Sequence, residues 1–285
     1  MPVEVAAIGF RLTELYKPLQ ACEFVIPALR PDEALIEVAG CGVCHTDIGF
    51  AYQGVPTRHP LPLILGHEIS GRVIDTGDKA REWLGRKVIV PAVIPCGECS
   101  ACLAGRPTIC RQQFMPGNDG DGGFATHVRV PARYLCPVPE NLPAGCALES
   151  LSVVADAVTT PFEAIRRSGL TNEHVAVIVG TGGIGGFGVQ IAAAKGAAVI
   201  AIDIDPLRLE LAAQHGAQLA LDARAMNDKD LKAAVRQFVK QSGRKGIGLK
   251  IFEMSGTAAG QSTAFSLLDH GAYLAVVGYS PQKVE

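Results

Sequence analysis

An excess of positive charge is missing from this sequence: Lys and Arg total 26 against 28 Asp and Glu, so nothing is set aside to neutralise a phosphate backbone or an anionic lipid surface. Nucleic acid and membrane surfaces therefore drop out as default partners. Apolar runs of the ~20 residues a membrane span needs are also missing, because Gly, Asp or Lys interrupts the longest ones. Met1-Pro2-Val3-Glu4 shows neither the basic n-region nor the apolar h-region of an export signal, and the expected location is the cytoplasm. No internal repeat or low-complexity tract is visible. At 285 residues and 48% hydrophobic composition, the chain can bury one large core or two ordinary ones, and two domains is the expectation.

Nine cysteines in a chain of this size without an export signal favour metal ligation or free thiols over disulfides. Cys96, Cys99, Cys102 and Cys110 fall within fifteen residues, as C-x2-C-x2-C-x7-C. Four thiolates so spaced can wrap one ion tetrahedrally with no open position, which describes a structural zinc site. An iron–sulfur cluster is the nearest rival, but such arrays usually continue with a short last gap and Pro, whereas Arg111 follows here. Cys22, Cys41, Cys136 and Cys146 are scattered and read as buried or incidental thiols.

Up to about Cys136 the pattern is short β-type runs split by Gly and Pro, among them 34–38, 71–75, 87–90 and 126–130, which predicts an all-β, barrel-like half. After Asn141, Ala-rich segments of helical length alternate with unbroken apolar runs. That alternation predicts a parallel sheet with crossover helices. Strands are expected at 175–180, 199–204, 219–222, 249–255 and 273–279, with helices at 184–195 and 228–242. The fold class is thus α/β with an all-β part, divided as 1–157 and 158–285.

Val179-Gly180-Thr181-Gly182-Gly183-Ile184-Gly185 is a G-x-G-x-x-G between an apolar strand and a helix, and Asp203 stands at the end of the next strand, 23 residues after Gly180. This is the dinucleotide fingerprint: Gly180 for the tight turn, Gly182 for backbone approach to pyrophosphate, Gly185 for helix–sheet packing, and Asp203 for the ribose hydroxyls. A further set is dispersed: Cys44 in Cys44-His45-Thr46-Asp47, His67 in Gly66-His67-Glu68, and Asp156. Singly, these read as a buried thiol, a core histidine and a helix N-cap ahead of Ala157. Only a fold can bring them together.

A β half carrying G-x-C-H-T-D and then G-H-E, followed by a four-Cys lobe and a half opening with G-x-G-G-x-G, resembles the zinc-containing alcohol dehydrogenases over essentially the whole chain. The resemblance implies a GroES-like domain followed by a Rossmann domain. It implies a catalytic zinc on Cys44, His67 and Asp156, the Cys2His type with Asp in place of the commoner second Cys, and Glu68 as a carboxylate able to replace bound water. Asp47 would orient His67 and Thr46 would relay the alcohol proton. His45, Thr160, Arg208 and Val277 would join the Gly180–Gly185 loop and Asp203 at NAD. Relatives often carry His five residues after the first ligand; Gly49 stands here, which leaves water or the cofactor ribose as proton exit.

The stretches 38–47, 91–96, 115–118, 153–161 and 250–253 resemble 6-hydroxycyclohex-1-ene-1-carbonyl-CoA dehydrogenases of anaerobic benzoyl-CoA breakdown, which implies an acyl-CoA alcohol as substrate. No basic cluster suited to a CoA phosphate is apparent, and a small non-CoA alcohol is the alternative. A zinc-free reductase of the same superfamily would lack the cysteine lobe and G-H-E; a non-enzymatic zinc-binding module that recruits nucleic acid would explain Cys96–Cys110 but neither Gly180–Asp203 nor the near-neutral charge. The resemblance also implies a sixth Rossmann strand through which a homo-oligomer forms, whereas the sequence stops at Glu285, just after the fifth. The expectation is a chain truncated at its C-terminus.

Overall fold

The structure, a computed structural model, describes residues 5–280 and residue 282. The chain divides into two compact units between Asp156 and Ala157.

In chain order the first unit contains β1 (Val5–Leu12), β2 (Gln20–Ile26), β3 (Glu33–Gly42), α1 (His45–Tyr52), β4 (Leu63–Ile64), β5 (Glu68–Thr76), β6 (Lys87–Val90), α2 (Ser100–Leu103), β7 (His127–Pro131) and β8 (Cys136–Pro137). Two antiparallel sheets result, ordered β2-β1-β4 and β7-β3-β5-β6-β8. Side chains an even number of positions apart on each strand meet in one core: Ala34 and Ile36, Ile69 and Val73, Val88 and Val90, Val128 and Val130. The all-β expectation needs correction, because α1 and the short α2 interrupt the strands. The longer of the two is α1. It forms where Cys44 and Asp47 cap its first turn reciprocally, and it buries Phe50 and Ala51 against Leu12, Leu63 and Leu65.

The second unit contains α3 (Thr159–Arg167), β9 (Val175–Val179), α4 (Gly183–Ala194), β10 (Ala198–Asp203), α5 (Pro206–Gln214), β11 (Leu219–Asp222), α6 (Asp228–Ser242), β12 (Lys250–Glu253), α7 (Ala258–Ser266) and β13 (Tyr273–Val276). Its sheet is parallel throughout and ordered β11-β10-β9-β12-β13, the doubly wound arrangement in which the chain leaves the central strand on one side and returns on the other. Ala176 and Ile178 of β9 face Val189 and Ala192 of α4 and Leu209 of α5. Val175, Val177 and Val179 face Leu231 and Val235 of α6. Burial on both faces is why these strands read as unbroken apolar runs.

β12 and β13 stop earlier than expected, at Glu253 and Val276. Glu253 supplies the reason: its carboxylate accepts the Ser255 and Gly256 amides at 2.8 and 3.2 Å, and its carbonyl accepts both Val277 and Gly278 amides. The carboxylate contacts turn the chain out of the ladder after β12, while the Val277 amide makes the last ladder bond of β13 and Gly278 shares the same carbonyl. Among the described residues, no helix is long and apolar enough to cross a membrane.

Candidate functional site

The four-cysteine lobe is a loop wound around its own sulfurs. Cys99 precedes α2, Cys110 follows a 3-10 turn begun by Pro107, and Gly97, at φ +81°, makes the bend that L side chains resist. Sulfur separations are 3.9 Å for Cys96–Cys102, 3.5 Å for Cys99–Cys102 and 3.8 Å for Cys99–Cys110. A tetrahedral zinc with Zn–S bonds of about 2.3 Å sets its sulfurs about 3.8 Å apart, so the donor set fits the ion. Amides of Cys99 and Cys96 point at the sulfurs of Cys96 and Cys110, at 3.3 and 3.4 Å. Backbone donation, led by the Glu98 amide, draws the Cys96 thiol down to about 7. Arg133 fixes the lobe from outside, donating to the Cys96 carbonyl and, at 2.9 Å, to Asp32.

The second cluster is assembled from three distant places: Cys44 at the N-cap of α1, His67 just before β5, and Asp156 at the end of a 3-10 turn (Glu149–Ala155). Asp156 is therefore not the N-cap of a helix beginning at Ala157; the next helix starts at Thr159. Asp156 Oδ2 lies 3.5 Å from Cys44 Sγ and 3.4 Å from His67 Nε2. Thiolate, imidazole and carboxylate around a tetrahedral zinc would stand about 3.6 and 3.4 Å apart at ordinary bond lengths. His67 is buried, and neither ring nitrogen has a hydrogen bond of good geometry. Burial works against a charged ring, yet Asp156, Asp47 and Cys44 outweigh it and push His67 up to about 12. The pocket thus calls for a cation, and three protein donors leave a fourth position for substrate.

Around this trio, Thr46 Oγ1 is 3.6 Å from Cys44 Sγ, and Asp47 Oδ1 is 3.4 Å from His67 Nδ1 while accepting the Gly66 amide at 3.1 Å. Glu68 is buried beside it, its Oε2 where a side chain on Gly42 would stand. The thiol of Cys41, close by, is pushed up chiefly by burial.

In the second unit, Gly180 takes φ +85° and an added Cβ would sit 2.5 Å from Ser255 Cα, while at Gly185 it would sit 1.8 Å from the Gly180 carbonyl. Neither position admits a side chain. Gly182 differs: a Cβ there would meet only the Arg208 guanidinium, at 3.6 Å. The backbone is open where a pyrophosphate would approach, and α4 starts there without a side-chain cap, so its first amides are unclaimed by one. Asp203 is buried at the end of β10, and Thr181 and two following amides donate to it.

Comparison with known proteins follows this geometry closely. The family profile described as "Alcohol dehydrogenase GroES-like domain" matches residues 30–140, and that described as "Zinc-binding dehydrogenase" matches 183–285. An alcohol dehydrogenase of Geobacillus stearothermophilus is 33% identical over 270 residues, covering 94% of this chain and 76% of that protein. The chain belongs to the zinc-type alcohol dehydrogenase family. Among solved structures, galactitol-1-phosphate dehydrogenase from Escherichia coli superposes with a TM-score of 0.84 at 26% identity, over 99% of this chain and 77% of the other. A protein of the zinc-binding dehydrogenase type from Sinorhizobium meliloti 1021, bound to NADP, gives 0.82 at 27% identity, over 99% and 80%.

In this dehydrogenase the structure gathers Cys44, His67 and Asp156 into one group and Cys96, Cys99, Cys102 and Cys110 into another, each with donor atoms within 4.8 Å of one another. Glu68 stands outside the ligand trio. His45 is exposed on the first turn of α1, Thr160 is half-buried in α3, and Val277 follows β13, its amide on Glu253. Gly183 and Ile184 open α4, with nothing within 4 Å of a Cβ at Gly183. Of the scattered thiols, Cys22 and Cys41 are half-buried, and Cys136 and Cys146 are exposed. Arg133 lies in no motif and nothing in the residue order points to it; Glu253 enters the sequence analysis only within the stretch 250–253, although an acidic residue ending an apolar strand, as in Ile251-Phe252-Glu253, is the signal for its strand-end position.

Proposed function

We propose that this dehydrogenase transfers a hydride from a secondary alcohol to NAD. The observation that carries the reading is the buried His67 with Cys44 and Asp156 at tetrahedral spacing, an ion-ready trio with one position open. Zinc, when held by these three, supplies a Lewis acid that lowers the pKa of an alcohol hydroxyl. The chain does the rest: Asp47 holds the ring of His67, Thr46 presents a hydroxyl beside Cys44 to take the alcohol proton, and Glu68 waits as an alternative carboxylate. Gly49 offers no further proton carrier, so the proton leaves Thr46 to water or the ribose. Gly180–Gly185 with α4 seats the pyrophosphate, and Asp203 faces the adenosine ribose.

For the alcohol itself, the proposal is a ring hydroxyl of an acyl-CoA of the 6-hydroxycyclohex-1-ene-1-carbonyl type, supported by the sequence stretches around the ligands at 38–47 and 153–161. A small alcohol without CoA is the second reading, favoured by relatives named for an alcohol and for galactitol 1-phosphate. NADH formation with zinc-loaded protein separates them. Turnover of the hydroxyacyl-CoA well above that of cyclohexanol supports the first, the reverse supports the second, and no NAD reduction by either, with both zincs bound, refutes both.

A further inference from the structure

Asp203 has no acceptor position left. Its Oδ1 takes the amides of Ile204 at 2.7 Å and Asp205 at 3.0 Å, and its Oδ2 takes the amide of Thr181 at 2.6 Å and the hydroxyl of Thr181 at 3.1 Å. An ionised carboxylate offers about four lone-pair sites, and all are filled from within the chain. Both residues are buried, Asp203 and Thr181 each at 6% exposure. A ribose hydroxyl arriving at this carboxylate must therefore displace one of the four donors.

Three of those donors cannot leave. The Thr181 amide follows Gly180, which is pinned against Ser255, and the amides of Ile204 and Asp205 are fixed by the end of β10 and the start of α5. The Thr181 hydroxyl alone swings on a single side-chain bond. We propose that Thr181 is a specificity-determining residue whose hydroxyl competes with the ribose hydroxyls of an adenine nucleotide for Oδ2 of Asp203. The proposal rests on reading Gly180–Asp203 as the dinucleotide site. Binding then exchanges one hydrogen bond for another, and the ribose gains little from Asp203 until Thr181 rotates away.

Thr181→Val removes the hydroxyl at nearly constant volume, and Thr181→Ser keeps it. Calorimetric titration of the zinc-loaded full chain with AMP, and with 2′,3′-dideoxy-AMP as a probe lacking both hydroxyls, tests the competition. The expected result is AMP binding about three- to tenfold tighter in Thr181→Val, the worth of one hydrogen bond no longer exchanged. Dideoxy-AMP should bind equally to both proteins, and Thr181→Ser should follow the wild type. Unchanged or weaker AMP binding in Thr181→Val overturns the proposal, as does equal tightening of the dideoxy probe. If Thr181→Val does not fold, Thr181→Ala carries the same expectation. A wild-type chain that binds neither AMP nor NADH overturns the dinucleotide reading, and the competition with it.

Discussion

Asp47 and His67 stand 3.4 Å apart, carboxylate Oδ1 to ring Nδ1, while the other carboxylate oxygen accepts the Cys44 amide at 2.9 Å. One side chain thereby ties two of the three candidate zinc ligands, which lie on different elements. It caps α1, which positions Cys44, and faces the ring just before β5 that presents Nε2 toward Asp156. Second partners of this kind set ring orientation and ligand basicity.

Asp47→Asn should accordingly weaken zinc at this centre by about 10–100-fold, the usual cost of removing such a partner. Competition with a chromogenic chelator measures it, with the four-cysteine site as internal reference. Unchanged affinity would mean that Asp47 only caps the helix.

Removing a ligand from each centre should have opposite consequences for the fold. The protein is expected to hold two zinc ions per chain. Cys99→Ser should lose the lobe's zinc and lower Tm, since binding energy at a closed structural site is folding energy. Asp156→Ala should keep that zinc and most of the thermal stability while losing the other. Elemental analysis beside thermal melts decides; iron in place of zinc would contradict both expectations.

The pH dependence of the metal-free protein follows from His67, raised from 6.5 to about 12. A folded pKa above the unfolded one means that the charged ring stabilises fully below about pH 6.5, and that this contribution drains away as pH rises toward 12. In the presence of chelator, His67→Gln should therefore cost most stability near pH 6 and progressively less toward pH 10. Zinc replaces the same proton, so its affinity should rise with pH over the same range. A stability difference that grows with pH would contradict the assignment.

Gly185→Ala puts a methyl 1.8 Å from the Gly180 carbonyl, backbone against which nothing flexible can give. The expected outcome is loss of NADH binding by at least tenfold in a fluorescence titration, with a reduced Tm. Gly183→Ala, with open space around it, is the control that should leave Tm nearly unchanged. Equal behaviour of the two variants would remove the packing argument.

Between the two nicotinamide coenzymes, NAD should be preferred, because a 2′-phosphate would meet the Asp203 carboxylate with like charge. Arg208 opposes this: it hangs over Gly182 and is paired only loosely with Asp205, at 3.7 Å. Asp203→Ala should narrow the preference and also loosen the loop, because the Thr181, Ile204 and Asp205 amides lose their shared acceptor. Equal kcat/KM for NAD and NADP in the wild type would refute the preference.

Some of this was legible in the residue order alone, and the reason is locality. The four thiolates lie within fifteen residues, so a short loop decides whether they can converge. The glycine loop and Asp203 are joined by one strand–helix–strand unit whose apolar pattern is visible at a glance. The alternation of those patterns likewise foretold the parallel sheet, since strands buried on both faces must be apolar on both.

What only the tertiary structure decided is the convergence of residues with no local link. Cys44 and Asp156 are 112 positions apart, and the pairing of β3 with β5 together with the turn after Glu149 is what sets their atoms 3.5 Å from each other. Without the resemblance, each would have remained a thiol and a cap. The occupied state of Asp203 was equally out of reach, because a fingerprint names the acceptor but not the donors that already fill it. The same holds for Glu253, whose carboxylate and carbonyl take four amides where two strands end. Hydrogen-bond saturation is a property of packed atoms in three dimensions, and residue spacing carries no count of it.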